Sequence, residues 1–264
     1  MYSHHLESAQ KLREYFEGRE GVIAVILDGS TVKGNARPDS DIDAIVVVTE
    51  ETYADLAAHK RLAEVITGYC TYEDGYFDVK YKTKAILERA ARYASEPTRN
   101  AYVKAQVLCS KDADIPALVD AIGRYPEHTV PEKLACFCAD LQLNYGYFLH
   151  IVPEDNRFMR AHLAQEIVYS VYRLILLENR ALFPCNRRLE ETVRACKKRP
   201  ADILELGAAL LADVTRENCE AFVQAFRAET SLPVVDDVSE SCSQYVKYYE
   251  DWWLENDPPF PNEW

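Results

Sequence analysis

Two apolar runs separated by a polar loop constrain the fold of this chain more than any other feature of its sequence. The runs VIAVIL (22–27) and IDAIVVV (42–48) are short and rich in β-branched residues, which is typical of buried strands. Asp41 and Asp43 lie on either side of Ile42, where the second run begins. Because side chains alternate between the two faces of a strand, these aspartates project together while Ile42 packs on the opposite face. The sequence therefore places two carboxylates side by side at the N-terminal end of a buried strand.

Paired carboxylates in this position are typical of a metal site. Like charges side by side repel, and burial increases the cost. A divalent cation between them removes that cost, and hard oxygen ligands suit Mg²⁺ or Mn²⁺. Asp78 lies near the start of the predicted strand YFDVKYKT (76–83), so it supplies a third carboxylate if that strand lies alongside. We therefore predict a metal centre made of Asp41, Asp43 and Asp78.

The loop before the acidic pair has the composition of a phosphate-binding loop. Gly29 allows a bulky ligand to approach the backbone, and the amides and hydroxyl from Ser30 onward are suited to phosphate oxygens. Lys33 and Arg37 place positive charge in the loop, and Ser40 is expected either to cap the turn or to contact phosphate. No G-x-x-x-x-G-K-[ST] motif occurs, so this is not a Walker loop. We predict that Gly29, Ser30, Lys33 and Ser40 bind a nucleoside triphosphate.

Together these segments resemble the signature of the nucleotidyltransferase superfamily related to DNA polymerase β. That signature consists of an apolar strand, Gly-Ser, a loop, Asp-apolar-Asp, and a third Asp on a later strand. It is matched here by Gly29-Ser30, by Ser40-Asp41-Ile42-Asp43 and by Phe77-Asp78-Val79. The resemblance covers the N-terminal half of the chain. The second half resembles, more loosely, the helical C-terminal domains of aminoglycoside and lincosamide nucleotidyltransferases.

The resemblance implies a two-metal transfer of a nucleoside monophosphate. Asp41 and Asp43 would bridge two metal ions. Asp78 would bind the catalytic ion and orient or deprotonate the attacking hydroxyl. Gly29 and Ser30 would grip the β- and γ-phosphates of ATP or another nucleoside triphosphate. The hydroxyl would attack the α-phosphate in line, and pyrophosphate would leave.

The predicted elements divide the chain into two domains of different class. Four strands are predicted, at 22–27, 42–48, 76–83 and 101–110. With the helices predicted between them, one over 51–66, they favour an α/β (α+β) domain on a small mixed sheet. The stretch YPEHTVP (125–131) has two prolines and no periodicity, so the boundary is placed there. We expect a nucleotidyltransferase domain over 1–125 and an all-helical bundle over 126–264, with the active site in the cleft between them.

The bundle is expected to contain five or six helices, because nearly every segment after the boundary has helical spacing or composition. The last of these segments is SESCSQYVKYYEDWWLEN (239–256).

The acidic composition limits the partners that the chain is expected to bind. With 30 basic and 43 acidic residues the formal net charge is −13, so the basic footprint needed for nucleic acid is missing. The same charge suits a cationic small-molecule acceptor. No apolar run approaches the roughly 20 residues of a membrane span, and the first residues, MYSHHLESAQ, contain no apolar signal core. We expect a cytoplasmic monomer or homodimer with reduced cysteines and no membrane partner.

Further residues have both a functional and a structural interpretation. Arg187 lies in a polar interruption between predicted helices, where it is either a phosphate contact from the second domain or an ordinary surface arginine. Glu88 and Glu166 are candidate general bases, but each lies on a predicted helix, where glutamate is commonly only a helix former. Arg157 and His162 form an R-x-x-x-x-H pattern that resembles the nuclease motif of HEPN toxins, and chance also produces such a pattern.

The leading functional prediction is transfer of a nucleoside monophosphate, most simply AMP from ATP, to a hydroxyl of a small molecule. The acidic chain makes an aminoglycoside-like antibiotic a reasonable first acceptor. Three alternatives stay open: a toxin-neutralising AMP transferase that modifies a protein, an HEPN-like RNase fusion, and a nucleotide-binding protein that has lost turnover. The intact set of Asp41, Asp43 and Asp78 speaks against the last of these.

Overall fold

The computed structural model describes residues 1–234 and 237–254. The chain divides into two compact units, Met1–Arg124 and Tyr125–Trp264. All eight cysteines lie within the described residues, and none of them forms a disulfide there. A helix long and apolar enough to cross a membrane is absent from the described residues.

The first unit, all of whose residues are described, combines six helices with five strands. The helices are Ser3–Phe16 (α1), Gly29–Lys33 (α2), Glu50–Ala58 (α3), Lys84–Tyr93 (α4), Glu96–Tyr102 (α5) and Ile115–Ile122 (α6). The strands are Val22–Leu27 (β1), Ile42–Val48 (β2), Ala63–Thr67 (β3), Tyr76–Thr83 (β4) and Gln106–Ser110 (β5). Valine, isoleucine and aromatic residues dominate β1, β2 and β4, which explains why these three strands form where the sequence predicted them.

The five strands of this unit form one mixed sheet in the order β3-β4-β2-β1-β5. β1 is antiparallel to both of its neighbours, β2 and β5. β2 is parallel to β4, and β3 is antiparallel to β4. The C-terminal end of β1 therefore lies next to the N-terminal ends of β2 and β4.

Helices cover both faces of the sheet, so its central strands are apolar on both sides. On one face, Leu12 and Phe16 of α1 pack against β1, β2 and β4. On the other face, Leu87 of α4 and Ile122 of α6 pack against β1 and β2. Each fully buried side chain of this kind contributes about 2 kcal/mol, and this core holds the strand ends at fixed positions.

One strand was not predicted. The sequence pattern predicted a helix over 51–66, whereas residues 63–67 form the edge strand β3. Helix α3 ends at Ala58, and Lys60 at φ +58° turns the chain toward the sheet. Because β3 is an edge strand with side chains that are at most half-buried, it has none of the apolar alternation that marks a buried strand.

Only the C-terminal half of another predicted strand is observed as a strand. The strand expected over 101–110 begins only at Gln106, and Glu96–Tyr102 is helix α5 instead. Pro97 lies in the first turn of α5, a position where its fixed φ favours helix. Lys104, at φ +60°, then leads the chain into β5.

Every regular element in the described part of the second unit is helical. The α-helices are Val130–Leu143 (α7), Leu149–Ile151 (α8), Arg157–Glu178 (α9), Leu189–Ala195 (α10), Ile203–Ala212 (α11), Arg216–Glu229 (α12) and Val238–Tyr245 (α13). The predicted segment 239–256 thus begins in α13, and its residues 255 and 256 lie outside the described residues. α9 is the central helix, and the guanidinium of its buried Arg173 lies over the rings of Phe137 and Phe183 at 4.6 and 4.2 Å. The predicted fold class, a mixed-sheet domain followed by helices, is confirmed.

Candidate active site

The strand order brings three segments of the chain together at one edge of the sheet. The backbone N–H of Asp28, which follows β1, donates a hydrogen bond to the carbonyl oxygen of Asp43 at 3.1 Å. In the parallel register of β2 and β4, Asp43 is paired directly with Asp78. The end of β1 and the starts of β2 and β4 therefore form one surface, and acidic side chains from all three segments lie on it.

Asp41, Asp43 and Asp78 converge, as the sequence predicted they would if the two strands lay alongside. One carboxylate oxygen from each residue lies within 4.8 Å of the others, and all three side chains are half-buried. At this separation two unit charges repel by about 3 kcal/mol in a protein environment of moderate polarity. Three charges held so close are stable only if cations or protons compensate them.

The raised pKa of Asp43 reflects its burial and the repulsion between these carboxylates. Burial, together with the charge of Asp41, raises the pKa of the Asp43 carboxyl to about 6. Lys80 and Lys33 act in the opposite direction and offset part of the rise. The Nζ of Lys80 also lies 4.0 Å from a carboxylate oxygen of Asp78. The cluster is thus acidic, and two lysines balance part of its charge.

Gly29 allows the loop to pass close to Asp43. Its φ is +72°, and a Cβ added there would lie 1.8 Å from Oδ2 of Asp43. A larger residue would therefore be strained in its backbone and would also displace the Asp43 carboxylate. Gly29 begins the short helix α2, where the sequence analysis expected an irregular loop.

Ser30 and Lys33 lie on α2, next to the triad. The carbonyl of Ser30 accepts a hydrogen bond from the Gly34 amide at 3.2 Å, which closes this helical turn. The Nζ of Lys33 donates to Oδ1 of Asn100 at 2.9 Å, and its charge lowers the pKa of the Asp43 carboxyl. Lys33 therefore links α2 to α5 while it contributes positive charge to the site. That Gly29, Ser30 and Lys33 bind phosphate stays a prediction.

Ser40 has the turn-capping role, which was one of its two predicted roles. Its Oγ accepts a hydrogen bond from the Arg37 amide at 2.9 Å, and its carbonyl accepts one from the Tyr72 hydroxyl at 2.6 Å. The exposed Arg37 side chain pairs with Asp39 at 3.1 Å. These contacts fix the turn immediately before Asp41. Contact of Ser40 with phosphate stays a prediction.

The remaining candidate residues are not part of this cluster. Glu88 is exposed on α4. Arg187 belongs to the second unit, on a short 3₁₀ turn, and lines a cavity of about 230 Å³ there. Glu166 is half-buried on α9, and its Oε1 lies 3.8 Å from Nδ1 of His162. Burial raises the pKa of the Glu166 carboxyl. The roles proposed for Arg187, Glu88 and Glu166 stay predictions.

Sequence reasoning missed two residues that border the triad. Asp28 is buried at 6 % exposure directly before Gly29, where burial and the charge of Asp43 raise the pKa of its carboxyl to about 7. Tyr76 begins β4, and the charge of Asp41 raises the pKa of its phenol. The sequence does contain one indication of Asp28: it is an acidic residue that directly follows a strand of six apolar residues, VIAVIL.

The donor set of the cluster fits a divalent, oxygen-preferring cation. All of its potential ligand atoms are carboxylate oxygens, the type that Mg²⁺ and Mn²⁺ prefer, and neither histidine nor cysteine contributes. Oδ1 of Asp28 is buried beside the cluster and has no hydrogen-bond partner among the described residues. Negative charge without matching hydrogen-bond donors is what a bound cation compensates.

Without metal, the protein is expected to lose stability as the pH rises from about 4 to about 7. The pKa of Asp43 is about 6 in the folded protein, above the value near 4 of an unfolded aspartate. The folded state therefore retains this proton more tightly, and the stabilisation that is complete below the unfolded pKa is lost as the pH rises through about 6. We expect the free energy of unfolding to fall by about 2 kcal/mol over this window.

Urea unfolding in the presence of a chelator, repeated across the pH range, measures this loss. Asp43→Asn should reduce the pH dependence, and the raised pKa of Asp28 accounts for the part that remains. Asp39→Asn, which removes an exposed charge paired with Arg37, should leave it unchanged. Equal slopes in the wild-type protein and the Asp43→Asn variant would contradict the expectation.

Comparison with known proteins gives a family match for the region that contains the triad. Residues 9–100 match the family model described as "Nucleotidyltransferase domain". This range begins in α1 and includes β1, β2, β4 and all three aspartates. Among curated proteins, none matches the sequence.

Two solved structures are similar to the chain at low sequence identity. One is a nucleotidyltransferase-like protein from Exiguobacterium sibiricum, which is 12 % identical with a TM-score of 0.50. The match covers 96 % of this chain and 80 % of the other, and it shows that the two share a fold. The other is the spectinomycin adenyltransferase AAD(9) from Enterococcus faecialis, solved with ATP and spectinomycin. It is 12 % identical with a TM-score of 0.31, over 91 % of this chain and 96 % of the other.

Proposed function

We propose that this protein, whose residues 9–100 match a nucleotidyltransferase domain, is a nucleotidyltransferase that transfers a nucleoside monophosphate from a nucleoside triphosphate to a hydroxyl group of a small molecule. The observation that carries this proposal is the convergence of Asp41, Asp43 and Asp78 within 4.8 Å beside Gly29. AMP from ATP is the simplest form of the reaction.

The proposal assigns separate tasks to the residues of the cluster. Asp41, Asp43 and Asp78 hold Mg²⁺ or Mn²⁺, which when bound neutralises charge on the phosphates and activates the attacking oxygen. Asp78, which is paired with Asp43 in the register of β4 and β2, also orients the acceptor hydroxyl and accepts its proton. Gly29 and Ser30 contact the β- and γ-phosphates through backbone amides and the serine hydroxyl. Attack on the α-phosphate then releases pyrophosphate.

The helical second unit gives no support to the RNase alternative. Arg157 and His162 both lie on α9, five positions apart, so they project about 140° apart around the helix axis. His162 is half exposed and faces Glu166. Ribonuclease activity that depends on His162 and is unaffected by Asp41→Asn would nevertheless favour this alternative over nucleotidyl transfer.

The acceptor class is proposed from charge. A net charge of −13 favours a cationic hydroxyl compound, and an aminoglycoside is the first compound to test. A protein side chain is the second acceptor class to test. AMP that appears on a polypeptide and on none of the small molecules would assign the protein-modifying function.

Incubation with α-³²P-labelled nucleoside triphosphates, Mg²⁺ and a panel of acceptors tests the proposal. The panel should contain aminoglycosides, lincosamides and proteins, and pyrophosphate release should be measured in parallel. We expect labelled product and pyrophosphate in equal amounts, only when both an acceptor and the metal are present. Product that forms equally well with Asp41→Asn would remove the proposed mechanism.

A further inference from the structure

Asp28 is a buried acidic residue that the reaction as described does not use. It lies between β1 and Gly29, and only 6 % of its surface is exposed. Its Oδ1 is inaccessible and has no hydrogen-bond partner among residues 1–234 and 237–254. A buried carboxylate oxygen without a donor is costly, and such atoms are rare in folded proteins. A residue in this position therefore needs a functional or a structural reason.

The charged groups that act on Asp28 all belong to the triad or to its immediate surroundings. Asp43 and Asp78 repel its charge, whereas Lys80 and Lys33 attract it. Neither lysine donates to the buried Oδ1. The Nζ of Lys33 donates to Asn100, and the Nζ of Lys80 lies 4.0 Å from a carboxylate oxygen of Asp78. Burial and, after it, the charge of Asp28 raise the pKa of the Tyr102 phenol. Asp28 thus adds negative charge to a cluster that is already acidic.

Asp28 does not lie where a direct ligand would. The oxygens that meet within 4.8 Å come from Asp41, Asp43 and Asp78, and Asp28 is not part of that set. Its backbone instead bonds to Asp43, with its amide 3.1 Å from the Asp43 carbonyl. The Asp28 side chain is therefore buried next to Asp43 without belonging to the set of converging oxygens.

We propose that Asp28 is a positioning residue of the metal centre, whose buried charge beside Asp43 strengthens the binding of the cation without supplying a ligand oxygen. The proposal rests on the metal centre of the proposed function and adds a fourth carboxylate to it. A charge that is buried near an ion acts through a less polar medium than water, so its attraction is strong even at several ångströms. Groups that support metal ligands in this way commonly change metal affinity 10- to 100-fold.

Asp28→Asn keeps the shape of the side chain and removes its charge. Binding of Mn²⁺ to the full chain, followed by electron paramagnetic resonance of the free ion, should weaken by about tenfold. Binding of Tb³⁺, followed by its luminescence, should weaken further, by about 30-fold, because a Coulomb energy scales with the charge of the ion. A purely structural residue would give no such dependence on the charge of the ion.

The stability of the metal-free protein separates the two roles. Asp28→Asn should unfold at the same temperature as the wild-type protein or higher, because the variant removes an unpartnered buried charge. Asp28→Ser provides a second neutral variant if the asparagine variant does not fold. Asp55→Asn is the matched control for loss of one exposed charge from the same unit, and it should change neither affinity.

Two results would overturn the inference. One is Mn²⁺ affinity of Asp28→Asn within about twofold of wild type, and the other is an equal loss of affinity for Mn²⁺ and Tb³⁺. The result for Asp41→Asn keeps this failure distinct from failure of the proposed function. If the wild-type protein binds Mn²⁺ and Asp41→Asn does not, the metal centre stands whatever the outcome for Asp28. If the wild-type protein itself does not bind Mn²⁺, both proposals fall.

Discussion

Replacement of Asp41 or Asp43 by asparagine is expected to lower kcat/KM for nucleotidyl transfer by about 100- to 1,000-fold. Each of these side chains supplies a carboxylate oxygen to a set that lies within 4.8 Å. An amide of the same shape retains one neutral oxygen and removes a full negative charge, so the site binds a divalent ion less well. Loss of one preorganised electrostatic contact commonly costs 100- to 1,000-fold in rate, or about 3 to 4 kcal/mol.

The stability of the metal-free variants should rise, although their kcat/KM falls. Because burial and the charge of Asp41 raise the pKa of Asp43 to about 6, the ionised Asp43 destabilises the metal-free fold at neutral pH. Asp43→Asn is therefore expected to unfold at a higher urea concentration than the wild-type protein when metal is removed. An inactive variant that is also more stable cannot be explained by misfolding.

Asp39→Asn is the matched control for both aspartates. Asp39 lies in the same loop, is exposed, and pairs with Arg37. Its substitution should change kcat/KM by less than about threefold, since an exposed ion pair contributes little. Steady-state kinetics with saturating Mg²⁺ and with Mn²⁺ measure the effect. Wild-type turnover in Asp41→Asn or Asp43→Asn would contradict the assignment of the triad.

The sequence was most informative where burial and chemistry coincide. β1, β2 and β4 were predicted with their observed bounds because β-branched residues fill them and both faces of the sheet are covered. The alternation of side chains along a strand also predicted that Asp41 and Asp43 share a face. The position of Asp78 depended on one assumption, that β4 lies beside β2, and the register Asp43–Asp78 confirms it.

Other features of the site depend on tertiary contacts that no local pattern contains. The edge strand β3 was missed because its side chains are largely exposed. Asp28 was missed because an acidic residue before Gly-Ser reads as the start of a loop, whereas the sheet and its helices bury it. Arg187 belongs to the second unit, and a sequence pattern does not fix which surface of that unit faces a substrate.

The structure also separates residues that sequence reasoning treated alike. Lys33 and Arg37 were both placed in a phosphate-binding loop as sources of positive charge. Lys33 acts electrostatically on Asp43 and is held by Asn100. Arg37 is exposed and pairs with Asp39. Of the two, Lys33 is therefore the better candidate for a phosphate contact, and the difference arises because α2 packs against α5 through the contact with Asn100.

Gly29→Ala adds a single methyl group beside the metal centre and is expected to lower both stability and activity strongly. The added Cβ would lie 1.8 Å from Oδ2 of Asp43, on a residue with φ +72°. Backbone strain and overpacking together should lower the free energy of unfolding by about 3 kcal/mol. To relieve the overlap, the Asp43 carboxylate must move by an ångström or more, and displacement on that scale commonly costs about 100-fold in rate.

Gly18→Ala distinguishes overlap from backbone strain. Gly18 has φ +86°, similar to Gly29, but nothing lies within 4 Å of a Cβ added there. This variant should lose only about 1 kcal/mol of stability and retain normal turnover and Mn²⁺ affinity. Urea unfolding, steady-state kinetics and Mn²⁺ binding should be compared for both variants. If Gly29→Ala were no less stable than Gly18→Ala and bound Mn²⁺ as the wild-type protein does, the close approach of Gly29 to Asp43 could not be what shapes the metal centre.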